Sequence, residues 1–252
     1  MSRRAAISAV LLLLLASGST GCALLRRGQD HPSQSATPTA SRTGSATSTA
    51  SASSDTRPIS EVLSRSSDAG GASVVIGASL SGVSSTRLSG LLALDTGEGR
   101  GDYTSASGRT TQRIITGGKT YTSTGTGWIA TAQSWRGLTG GDLPSVWSTL
   151  RTTDMRVDAS AMRTYSGTLP IRTALTLSGI DASAVTSLNL TGATASVALT
   201  YNSDGIATLI SIDGFIPDGA RTLSTVMSIS DVGQIVEVEA PSVAVTGGPE
   251  GQ

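Results

Sequence analysis

The 252-residue sequence contains one cysteine and one histidine, Cys22 and His31. Both precede every stretch with the hydrophobic periodicity of a folded domain. The rest of the chain therefore has no imidazole for general-base work or zinc ligation. It has no thiol nucleophile, no disulfide and no Cys-bound iron–sulfur site. Ser-His-Asp and Cys-His enzymes are excluded, and the balance moves from catalysis towards binding without a cofactor. Aromatic residues are also scarce, at 3% of the chain with Phe215 the sole phenylalanine, and Lys119 is the sole lysine. From residue 57 onward there are 13 basic and 16 acidic residues. A slightly acidic domain offers no basic footprint for nucleic acid.

What is present begins with an address. Arg3-Arg4 precede an apolar run, Ala5 to Ala16, that includes Leu11 to Leu15. The run is too short to span a bilayer and is followed by small residues, so residues 1–21 read as a secretory signal peptide. Ser19-Thr20-Gly21-Cys22 resembles a bacterial lipobox, with Ser19 where leucine is usual. That resemblance implies that Cys22 is lipidated and becomes the mature N-terminus. The expected location is the extracytoplasmic face of a bacterial cell membrane, where two acyl chains hold a protein stably. Residues 22–56 then form a tether. Residues 32–56 include 14 Ser or Thr out of 25 and cannot bury a core, so disorder is expected. As a flexible coil this stretch spans roughly 25–30 Å.

The expected domain covers residues 57–243, with a flexible tail over 244–252. Ile59, Val62 and Leu63 lie at helical spacing behind Pro58 and predict a helix over 58–68. Strand alternation follows over 73–80, 87–94, 99–106, 110–116 and 119–124, with Trp128-Ile129 after a turn. Residues 142–150 read as a second helix, capped by Asp142, with Leu143, Val146, Trp147 and Leu150 on one face. Strands return at 155–158 and 162–168. Residues 170–177 and 181–190 lean towards short helices. Ala195, Val197, Leu199 and Tyr201 share a strand face. Ile206, Thr208, Ile210 and Ile212 share the next, with Leu209 opposite. Residues 222–229 are a strand, Asp231-Val232-Gly233 a turn, and 234–240 its return. The class is mainly β with a few helices (α+β): an antiparallel half-barrel sheet whose concave face the helices cover.

The stretch Tyr201-Asn202-Ser203-Asp204-Gly205-Ile206 and the closing Ser230-Asp231-Val232-Gly233-Gln234-Ile235-Val236-Glu237-Val238-Glu239-Ala240-Pro241 resemble the LppX/LprA/LprF/LprG-type envelope lipoproteins. Those are similar in fold to the LolA and LolB lipoprotein carriers. The helix with Leu143-Pro144 and Trp147 matches more loosely. The resemblance implies no enzymatic activity and an apolar cavity for acyl chains of a lipid, glycolipid or lipidated cargo. Its partners would be the membrane, through the N-terminal lipid, and the acylated ligand.

No sharp motif marks such a pocket. Alternation nominates Val74, Ile76, Leu92, Leu94, Ile114, Tyr121, Trp147, Leu150, Val197, Leu199 and Ile210 as inward residues. With so few rings, composition allows either a compact core of small residues or a hollow. The carboxylates give no competing site. Glu237 and Glu239 fit a solvent face, and Asp154 and Asp158 lack a calcium loop. The contrasting expectation is a ligand-free interaction module of the envelope, with a solid core.

Overall fold

Strand alternation from residue 71 onward is realised as one open sheet of twelve strands among the described residues, in the order β12-β6-β5-β4-β3-β2-β1-β11-β10-β9-β8-β7. The computed structural model describes residues 56–81, 84–132, 137–180, 189–217, 220–241 and, for backbone alone, 244–246. Cys22 and the leader lie outside the described residues. The strands are β1 Gly71–Leu80, β2 Ser84–Ala93, β3 Gly99–Thr104, β4 Thr110–Thr116, β5 Lys119–Ser123, β6 Trp128–Ala132, β7 Arg156–Val157, β8 Thr164–Pro170, β9 Thr194–Tyr201, β10 Ala207–Ile216, β11 Arg221–Gln234 and β12 Ala244–Thr246. The helices are α1 Ile59–Ser67, α2 Leu143–Thr152 and α3 Ile171–Ser178, with a 3-10 turn at Leu138–Gly140. Among the described residues the protein is thus mainly β with three helices on one face, and the sheet does not close on itself.

Strand β1 is the spine, paired antiparallel with β2 on one side and β11 on the other. Its even-numbered residues Val74, Ile76, Ala78 and Leu80 are buried under the helices. Register carries this inner face to Leu88 and Leu92 on β2, to Met227 and Ile229 on β11, and to Ile210 and Val197 beyond. Each helix turns an apolar stripe onto it: Val62 and Leu63 from α1, Val146, Trp147 and Leu150 from α2, and Ile171, Ala174 and Leu175 from α3. Burial of this kind contributes about 1.5–3 kcal/mol per large side chain.

Local chemistry fixes the helix ends. The Asp142 side chain accepts from the Ser145 N–H at the start of α2, and Pro144 sits in the first turn, where its missing N–H is harmless. Gly179 ends α3 in the left-handed region at φ 77. On α1, Glu61 bridges Arg57 and Arg65, each at 2.9 Å.

Four sequence expectations are corrected. Residues 234–240 do not return as a hairpin strand. Asp231 and Gly233 take positive φ of 49 and 92 without reversing the chain, because residues 231–233 bulge opposite Ala72 while β11 continues to Gln234. The following segment then leaves the ladder. Val236 lies on the outer face over Gly71, where a Cβ would come within 2.2 Å of its Cγ2. The alternation of Val236 and Val238 with glutamates reflects packing on that face, not pairing. Second, Ala244–Thr246 pairs parallel with β6, so the sheet extends past residue 243, where the tail was expected to begin.

Third, a register shift between Ala207 and Leu209 turns Ala207 inward with Ile210 and Ile212, and leaves Ile206 and Thr208 only partly covered. Fourth, Ile114 and Tyr121 do not face the helices. Ile114 pairs with Arg100 and Tyr121, and Arg100 with Leu91, all on the outer face. The inward neighbours are Arg113, Ile115 and Thr120. Consecutive apolar residues at 114 and 115 had left the face of β4 undetermined. Residues 171–178 are helical as expected. Of the other ambiguous segment, residues 181–188 lie outside the described residues.

Candidate functional site

The apolar space between sheet and helices is where an acyl chain would have to lie. Nine of the nominated residues meet there: Val74, Ile76, Leu92, Leu94, Trp147, Leu150, Val197, Leu199 and Ile210, none more than 1% exposed. They line no hollow. Together with Leu138, Leu143, Leu175 and their neighbours they form one continuous core. Among the described residues no cavity is shown at these positions. Where rings are scarce, the helices themselves insert aliphatic residues. Trp147 also supplies bulk at the centre, and its indole N–H donates to the Leu94 carbonyl at 2.6 Å.

Buried polar groups fasten the helix layer at a few points. The Ser66 hydroxyl on α1 accepts from the Ala207 N–H at 2.8 Å. The Thr225 hydroxyl donates to Ser178 Oγ at 2.7 Å, tying the end of α3 to β11. The Thr139 hydroxyl donates to the Ser178 carbonyl at 3.0 Å, tying the 3-10 turn to the same point. Between these fastenings, contact is apolar and non-directional.

Helix α1 packs on α2, whereas α3 rests on β8, β9, β10 and the 3-10 turn. A groove of about 710 Å³ separates α2 from α3, within the usual range of ligand sites. Its walls mix polar and apolar surface, with Asp142, Ser145 and Thr149 at α2, and Arg172, Thr173 and Thr176 from α3 beside Pro144 and Leu177. Leu177, only 3% exposed, links these walls to the core beneath. The arrangement is layered, with hydroxyls and a guanidinium above and hydrocarbon below.

One end of the inner face departs from this pattern. The Arg113 guanidinium lies 3.2 Å from the Tyr103 ring centroid, and burial pulls its pKa down to about 10, an effect Tyr103 partly opposes. Arg113 thus remains cationic at neutral pH. Tyr165 and Tyr201 stack with centroids 6.0 Å apart, and burial followed by the neighbouring Tyr201 raises the Tyr165 pKa. The Tyr165 hydroxyl donates to the Arg57 carbonyl, closing the chain's approach to α1.

Among the described residues no three His, Cys, Asp or Glu side chains gather as a metal site. Glu237 and Glu239 are exposed on the outer segment, and Asp154 pairs with Arg156 at the surface. No helix of the described residues is long and apolar enough to cross a membrane. The groove itself escaped sequence reading, since its walls are ordinary polar helix faces.

No family model matches the chain, and no curated protein matches it. Among solved structures it is similar to LprF from Mycobacterium bovis, with 14% identity over 73% of this chain and 96% of that one and a TM-score of 0.40. It is also similar to the lipoprotein LppX from Mycobacterium tuberculosis, with 15% identity over 72% and 97% and a TM-score of 0.39. A LolA superfamily protein from Nitrosomonas europaea gives 13% identity over 73% and 96%, with a TM-score of 0.29.

Proposed function

We propose that the protein is a lipoprotein, anchored through Cys22 to the outer face of a bacterial cell membrane, that takes acyl chains of a lipid, glycolipid or lipidated cargo between its sheet and its helices. The observation that carries this reading is the layered groove between α2 and α3, polar at its mouth and hydrocarbon beneath. Because the interior is filled, loading requires α2 and α3 to part. The energetics permit this. A chain of about sixteen carbons leaving water gains on the order of 12 kcal/mol. The helix faces it displaces keep hydrocarbon against them, so their own apolar burial is largely retained. Arg172 and the hydroxyls of Ser145, Thr149 and Thr173 would meet the head group. The tether lets the domain reach the bilayer and withdraw over a short range.

The second reading is a ligand-free envelope interaction module, and the filled interior is the observation that favours it. Native mass spectrometry separates the two. The Cys22→Ser chain, free of its own lipid, is mixed with extracted envelope lipids and released. The carrier reading expects a bound acyl species. Bare protein in every charge state contradicts it and leaves the module.

A further inference from the structure

The outer face, opposite the helices, carries a second concavity. A groove of about 500 Å³ runs over β3 and β4, with Arg100, Asp102, Gln112, Ile114 and Trp128 in its lining. It adjoins a groove of about 620 Å³ that shares Gln112, Ile114 and Trp128 and is bounded by Pro241. Register places all five side chains on one face: Arg100 opposite Ile114, Asp102 opposite Gln112, and Trp128 opposite Ser123. The carboxy-terminal segment walls the other end, where Val236 and Val238 flank Arg100. The long axis therefore suits an elongated occupant.

The lining combines a flat apolar platform with planar polar groups. Trp128 and Ile114 are half-buried, whereas Arg100, Asp102 and Gln112 are exposed. Among the described residues, the side chains of Arg100, Asp102 and Gln112 make no hydrogen bond or ion pair, so their donors and acceptors are available to a ligand. Guanidinium donates, carboxylate accepts and carboxamide does both. The two exposed charges cancel, and Arg113, which also borders the groove, is held over the Tyr103 ring, which leaves phosphate little advantage. A peptide would seek an unpaired strand edge, but β3 and β4 are paired on both sides. Hydroxyls donate and accept at once, and the C–H face of a sugar ring packs on an indole.

We propose that this outer groove binds a neutral oligosaccharide, with a ring stacked on Trp128 and its hydroxyls bonded by Arg100, Asp102 and Gln112. The site is distinct from the acyl site and does not depend on it.

The test uses the full chain in a non-glycosidic detergent, titrated with maltotriose, cellotriose and mannotriose, followed by saturation-transfer NMR and calorimetry. Saturable binding of at least one trisaccharide is expected. Trp128→Ala should weaken it about tenfold, the scale of a lost aromatic contact. Trp128→Phe should retain most of it. Asp102→Asn and Arg100→Gln should each weaken it roughly threefold to tenfold, as lost hydrogen bonds do. These two exposed positions keep the test valid if Trp128→Ala does not fold. The proposal is overturned by no saturable binding below about 10 mM, a weak limit on the affinity scale. It is also overturned by binding that survives both polar substitutions, or by inorganic phosphate or an extended peptide occupying the groove in place of the sugars.

Discussion

The two wings of the sheet carry different chemistry on their two faces. In the wing of β8 to β11 the helix side is aliphatic, with Val197, Leu199, Ile210 and Ile212 fully buried. Its other side carries Ser196, Ser211, Ser224 and Ser228, exposed or half-exposed. In the wing of β4 to β6 the helix side is buried too but mixed, with Arg113, Ile115 and Thr120, while Ile114, Tyr121 and Trp128 turn outward. The difference follows from what covers each wing. Helices roof the first on its inner face. The carboxy-terminal segment lies over the outer face of β1 to β3, borders the β4 to β6 groove at Pro241 and pairs as β12 with β6. A strand's alternation therefore identifies two faces, but the covering elements decide how much of each is buried.

The strongest way to break this contrast is at the centre of the helix-covered wing. Trp147→Ala removes a ring that is 1% exposed and orphans the Leu94 carbonyl. A loss of about 3–5 kcal/mol is expected, read as a lower urea midpoint. Next is the other cover. Truncation after Gln234 removes the half-buried Val236 and Val238, and about 1–3 kcal/mol should go with them. Hydrogen exchange should then rise in β3 to β6 while β9 and β10 stay protected. An equal rise in both wings would mean that the segment supports the whole fold rather than one wing.

The smallest effect lies outside both covers. The Ser160 hydroxyl and N–H donate to exposed Asp158 and hold its pKa below 3.8, an effect the Ala161 N–H supports. A carboxylate with a depressed folded pKa stabilises fully above its unfolded value and loses that contribution as pH falls through the folded one. Asp158→Asn should therefore lower Tm slightly at neutral pH, and the gap should close in strong acid. A gap that persists below the folded pKa would assign the effect to something other than charge.

Much of this fold was legible. Ile59, Val62 and Leu63 announced α1, and Asp142 with Leu143, Val146 and Trp147 announced α2. Most strands were visible as alternation bounded by glycine turns. What was missed has physical causes. Asp231-Val232-Gly233 has turn composition, yet a bulge uses the same left-handed residues without reversing direction. Adjacent Ile114 and Ile115 made either face of β4 plausible. The filled interior was invisible to a count of aromatics, because helix-borne leucines and isoleucines do the filling. The α2–α3 groove has no sequence signature at all, since Ser145, Thr149 and Thr176 look like solvent-facing positions.

We propose that the described interior is closed at rest and admits an acyl chain only by separating α2 from α3. Spin labels on Ser145→Cys and Thr176→Cys, in a Cys22→Ser background, report that separation directly by pulsed electron resonance. Both positions are exposed and border the groove. On addition of envelope lipid the inter-label distance should lengthen by several ångströms and return when lipid is stripped. Lipid bound with an unchanged distance would contradict the account.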